Sequence, residues 1–298
     1  MHRALIASPT AQRNLVLFLL LAVAMACWAL ILGQGGGGPG VDMAMASPTM
    51  GLPATAFLTM WVTMMVAMMF PTAAPMILTF HRIESAKRAR GEAFVSTWLF
   101  AAGYTLIWAA AGVAAYYGAV TAEAVATRTG LSAAMAARIG GALVIAAGLY
   151  QLTPLKNVCL SKCRSPIGFI LTSWRGGSLG ALRMGLLHGG SCFGCCWLLM
   201  VVLFPLGIMN LAAMALITLI IFAEKSLAWK RVTAYGTAAA LVIYGLVVVA
   251  APRALPTFAA PGPATAMPGM AKPEIVEPPV PAAMPMGMSG GAPPPARR

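Results

Sequence analysis

Sulfur is the side-chain chemistry this chain concentrates: 6 cysteines and 21 methionines in 298 residues, with 3 histidines beside them. The densest group is His188-Gly-Gly-Ser-Cys192-Phe-Gly-Cys195-Cys196-Trp-Leu-Leu-Met200. His188 precedes Cys192 by four positions, and Cys195 and Cys196 follow it by three and four, so a helix places all four donors on one face. Thiolate and imidazole ligate soft or borderline metals, and thiolate combined with thioether suits Cu(I). A structural zinc site also accepts Cys and His, but zinc ranks behind copper because it gives the methionines no role. A lone thiol is usually an inert small apolar group. Three in five positions after a histidine and two glycines are more specific.

A second sulfur pattern lies at Met60, Met64, Met65, Met68, Met69 and Met76. At about 100° per residue, Met60, Met64 and Met68 fall within roughly 80° of arc, and Met65, Met69 and Met76 within about 40°. One helix would carry two adjacent thioether stripes. Pro71 and Pro75 interrupt its hydrogen-bond ladder and free carbonyls, which in a membrane are re-satisfied by neighbours or line a cavity. Flexible core filling explains one or two such methionines; six in 17 positions beside two prolines favour a thioether path, which Met200, Met209 and Met214 could extend.

Cys159 and Cys163 form a further pair in the basic segment Cys-Leu-Ser-Lys-Cys-Arg, expected at the cytoplasmic face as free thiols, metal ligands or redox partners. Lys162 and Arg164 beside them are expected to favour thiolate. Met43, Met45 and Met50, and the tail residues Met284, Met286 and Met288, read as accessory metal capture on the opposite side. Cys27, alone in its segment, reads as packing. Glu224 could receive a cation or proton, although the adjacent Lys225 favours an ion pair between the two.

These residues must be positioned by membrane helices. The chain is 60% hydrophobic and 9% charged, far from the about 25% charged of a soluble domain. Apolar runs cover Leu15–Leu32, Pro53–Phe80, Phe94–Val120, Ala133–Leu152, Leu182–Leu206 and Val232–Ala251. A shorter run, Ile208–Ala223, is set off by Pro205 and Gly207 and reads as the return arm of a hairpin. A crossing needs roughly 20 such residues. The sequence therefore predicts an all-α polytopic membrane protein with about seven transmembrane helices, or six if the first is cleaved as a signal peptide; a retained first helix is favoured.

The net charge of +13 does not indicate nucleic acid, because the basic residues separate apolar runs instead of forming one face. Fourteen of the 20 fall on one side when the N-terminus (1–14) is cytoplasmic, which leaves only Arg128 and Arg138 in outer loops. That predicts a bacterial inner-membrane protein with a helical domain over 15–251 and a periplasmic C-terminal tail over 252–298. The tail holds 13 of the 22 prolines and is expected to be disordered or partly polyproline II.

Four ordered blocks carry a resemblance: Trp61 to Met76, Tyr150 to Arg164, Cys192 to Met200, and Gly207-Ile-Met-Asn-Leu through Glu224-Lys225. Over about 57–231 the chain resembles a bacterial family of polytopic membrane proteins described as predicted metal-binding integral membrane proteins, a domain family of unassigned function sometimes labelled copper chaperones. The resemblance implies metal binding and leaves the mechanism open. From the residues, the leading expectation is a non-enzymatic protein that binds and relays Cu(I), through Met and then Cys ligands, to the cytoplasm or to a membrane or periplasmic cuproprotein. The alternatives are a thiol–disulfide oxidoreductase using Cys192, Cys195 and Cys196, and a non-catalytic scaffold of a membrane complex. ATP-driven transport by this chain is disfavoured, since no Gly-x4-Gly-Lys-Ser/Thr loop is present.

Overall fold

A computed structural model describes residues 9–34, 48–227 and 230–258. The described residues form α-helices without strands: α1 (Pro9–Gln34), α2 (Ala54–Ala89), α3 (Thr97–Thr129), α4 (Ala133–Tyr150), α5 (Pro154–Arg164), α6 (Pro166–Ser173), α7 (Gly177–Leu206), α8 (Leu211–Ser226) and α9 (Lys230–Ala250), followed by two single 3-10 turns. Six of them, α1, α2, α3, α4, α7 and α9, are long and apolar enough to cross a membrane. The expected seventh crossing, α8, has 16 residues, or about 24 Å of rise against a hydrocarbon core of about 30 Å. The anticipated hairpin is present: Pro205 closes α7, Gly207 turns at φ 94°, and the Asn210 side chain caps α8 by accepting from the Ala213 amide.

Aromatic contacts align α2 antiparallel to α3. Phe57 meets Tyr116, the Trp61 indole donates to the Trp108 carbonyl at 3.0 Å, Phe70 meets Tyr104 and Phe80 meets Phe100. The next layer, α7, runs parallel to α3, with Gly185 at Phe100, Gly189 at Ile107 and Phe193 at Trp108. At this crossing a Cβ on Gly103 would strike the Leu182 carbonyl and one on Gly185 the Phe100 carbonyl. The two backbones touch because neither residue carries a side chain, the means by which membrane helices gain dispersion contact.

The prolines of α2 do not break it, since the helix continues through Pro71 and Pro75 to Ala89. Pro71 has no N–H to offer the carbonyl of Ala67, and the Trp28 indole of α1 donates to that oxygen at 3.2 Å. The freed acceptor is thus re-satisfied by a neighbouring helix, which is what a chain in lipid requires. The outward surface is apolar, with Phe18, Ile167, Leu171, Leu179 and Val232 among its exposed large side chains.

Candidate metal centre

The centre is assembled on α7 from the side chains of one helical turn and completed from α5. Cys192 and Cys195 are buried on the inner face of α7, at 0% and 2% exposure. The segment after α4 returns to meet them: Thr153 caps α5 by accepting from the Lys156 amide, and Pro154 begins the helix. Two contacts then fix α5 beside the middle of α7. The Tyr150 hydroxyl donates to the Gly194 carbonyl at 2.5 Å, and Cys159 Sγ occupies the space that a Cβ on Gly194 would fill. One turn further along α5, Cys163 reaches the α7 thiols. The Sγ atoms of Cys163, Cys192 and Cys195 all lie within 4.8 Å of one another.

That spacing fits one soft ion. Metal–thiolate bonds of about 2.3 Å in a trigonal plane place the sulfurs about 4 Å apart, so closure needs shifts of less than about 1 Å. Three thiolates are one ligand short of the tetrahedral set that a structural zinc site uses.

The surroundings supply charge and donors. Lys225, near the end of α8, places Nζ 3.0 Å from Cys192 Sγ and 3.1 Å from Thr72 Oγ1. The Tyr104 hydroxyl lies 3.2 Å from Cys192 Sγ. Cys195 and Cys196 each donate to the Cys192 carbonyl at 3.0 Å. The expected Glu224–Lys225 ion pair is not formed. Glu224 instead binds Lys156 of α5 at 2.7 Å, with both side chains almost fully buried. A buried acid and base on different helices satisfy each other more completely than neighbours on one helix, whose side chains diverge by about 100°.

The cysteines of α5 also depart from expectation. They do not form a separate station after the α7 cluster, because Cys163 belongs to that cluster. Burial pushes the Cys159 thiol up, with a smaller contribution from Cys195, and this outweighs the lowering effect of Lys162. The basic neighbours therefore do not poise Cys159 as a thiolate.

His188 is 2% exposed, stacked against Phe100 and Tyr104 and edge-on to Phe169, with Nδ1 lacking a hydrogen-bond partner. It is not a member of the three-thiol group. Met60, Met64, Met65, Met68, Met69 and Met76 are all buried within the bundle. Met69 Sδ lies 4.0 Å from Thr72 Oγ1, so the stripe is linked at Met69 to the centre through Thr72 and Lys225. Met43, Met45, Met284, Met286 and Met288 lie outside the described residues. Sequence reasoning did not anticipate Thr72, Tyr104 or the Lys225–thiol contact. The available signal was a Glu-Lys pair ending an apolar helix, where buried charge has to find a partner.

Against this geometry, the family comparison is direct. The model of the PpoB2 family, described as copper chaperone, matches residues 58–248, which include every ligand candidate in the centre. The chain belongs to that family. No curated protein and no solved structure matches it.

Proposed function

From that membership we propose that the protein is a multi-pass inner-membrane copper chaperone that receives Cu(I), holds it at Cys163, Cys192 and Cys195, and passes it to an acceptor in the cytoplasm or to a membrane-bound cuproprotein. One observation carries the reading: thiols from two separate sequence blocks converge within 4.8 Å inside an apolar bundle. The residues of α2 supply an approach. Thioethers are neutral and hold Cu(I) weakly enough to release it, whereas thiolates hold it tightly, so passage from the Met stripe to the Cys centre descends in free energy. Release then requires a competing thiolate on the acceptor. Lys225 offsets part of the negative charge that thiolates place in a low-dielectric interior, where uncompensated charge is costly. The charge distribution supports a cytoplasmic N-terminus and a periplasmic C-terminal tail.

The test is metal analysis of protein purified under strict reduction and exposed to Cu(I), with Zn(II) in parallel. The expected result is one Cu(I) per chain at the centre, lost in C192S/C195S and also in C163S. Retention of Cu(I) in both variants overturns the assignment. A metal-free protein whose Cys192 cycles through a disulfide with Cys195 or Cys196 at a defined potential establishes the oxidoreductase alternative instead.

A further inference from the structure

A two-lobed cavity lies between α5, α6 and α7. One lobe, of about 410 Å³, is lined by Lys162, Thr172, Ser173 and Ser191 with Phe169 and Leu187. The second, of about 310 Å³, shares Thr172, Ser173 and Leu187 and adds Trp174, Arg175 and Arg183. These volumes lie at the low end of the range for small-molecule sites. Three cations and three hydroxyls face the space, and no carboxylate lines it. The acids among the described residues are committed elsewhere: Glu84 to Lys87 and the Val95 amide, Glu92 to Arg90, Glu123 to Thr49, and Glu224 to Lys156. The walls also present apolar surface. Phe169 and Leu187 line the space, and Leu179, one turn before Arg183 on the same face of α7, is 82% exposed.

We propose that this cavity binds the phosphate headgroup of an anionic phospholipid. Arg175 and Arg183 supply planar donors suited to phosphate oxygens, Lys162 adds a third charge, and Ser173 supplies a neutral donor; Thr172 and Ser191 line the space with hydroxyls that donate to their own helices. A free phosphate would use the same polar groups, but it has no use for the exposed apolar side chains on the same helices, which suit acyl chains. Basic pockets between membrane helices recognise anionic headgroups by this combination of charge and adjoining apolar surface. The site is distinct from the thiol centre and does not depend on what that centre binds. Lys162 and Ser191 nevertheless precede Cys163 and Cys192 directly, so a bound lipid would brace the two segments that carry those thiols.

The experiment is native mass spectrometry of the full chain exchanged into phosphatidylcholine nanodiscs and titrated with phosphatidylglycerol, with a parallel titration of inorganic phosphate. Phosphatidylglycerol is expected to bind the wild type and to bind at least tenfold more weakly in R175Q/R183Q, while R175K/R183K, which keeps both charges, stays within about threefold. R128Q/R138Q, altered at the opposite ends of the helices, is expected to match the wild type. Equal phosphatidylglycerol binding in wild type and R175Q/R183Q overturns the proposal. So does displacement of the lipid by millimolar inorganic phosphate, which would make this a phosphate site. Folding of each variant is checked by its elution as a monodisperse species.

Discussion

Cys163 is the residue on which the centre turns. Its block, Tyr150 to Arg164, reads in sequence as a basic loop, and its neighbours Lys162 and Arg164 reinforce that reading; only the folded chain shows it against Cys192 and Cys195. The α7 triplet was legible because helical spacing alone puts Cys192 and Cys195 on one face. The α5 contribution was not, because no periodicity links residues 29 positions apart. Lys225 supplies a second test at this scale. In Lys225→Gln the charge-assisted contact with Cys192 is lost, a change of about 1.5–3 kcal/mol. Cu(I) affinity, measured by competition with a chromogenic Cu(I) chelator, is expected to fall by about tenfold or more, and Lys225→Arg to recover most of it. Unchanged affinity in Lys225→Gln would remove the lysine from the centre.

Two contacts test the helices as elements. The Trp28 indole holds the carbonyl that Pro71 leaves free on α2, so Trp28→Phe strands a buried acceptor and is expected to cost about 1–3 kcal/mol, read as a lower thermal midpoint in detergent. The sequence announced that such a carbonyl needed a partner; it could not say that α1 provides it, since a lone tryptophan in an apolar run carries no directional signal. Gly185 lies where α7 and α3 touch backbone to backbone. Gly185→Ala forces the helices apart and is expected to lower the midpoint further than Gly190→Ala, because Gly190 faces open space. Equal effects would mean that the crossing is looser than described. The α7–α8 hairpin was the most legible element, because Pro205, Gly207 and Asn210 each supply a separate local reason for the chain to turn.

For the molecule as a whole, the Lys156–Glu224 pair joins α5 to α8 in the interior. Lys156→Met alone leaves a carboxylate buried without its counter-charge and is expected to destabilise by about 3–5 kcal/mol, whereas Lys156→Met with Glu224→Leu is expected to restore most of that loss. A double variant no better than the single would show that the pair does not act as a unit. The all-helical class and six of the apolar runs were readable from composition and run length, whereas the expected seventh crossing, α8, is shorter than a membrane helix needs. The depth at which α5 sits was not readable, because its charges mark it as surface until Glu224 is found opposite Lys156.

Both ends of α5 are tied to residues made long after it. Lys156 is held by Glu224, and Arg164 donates to the Leu227 carbonyl. A ribosome therefore completes all three thiols of the centre at least 29 residues before it delivers the last of the groups that pin them together. A nascent chain stalled short of residue 224 lacks both of these ties, so its thiols are expected to be more open to mispairing by an oxidant than those of the complete chain.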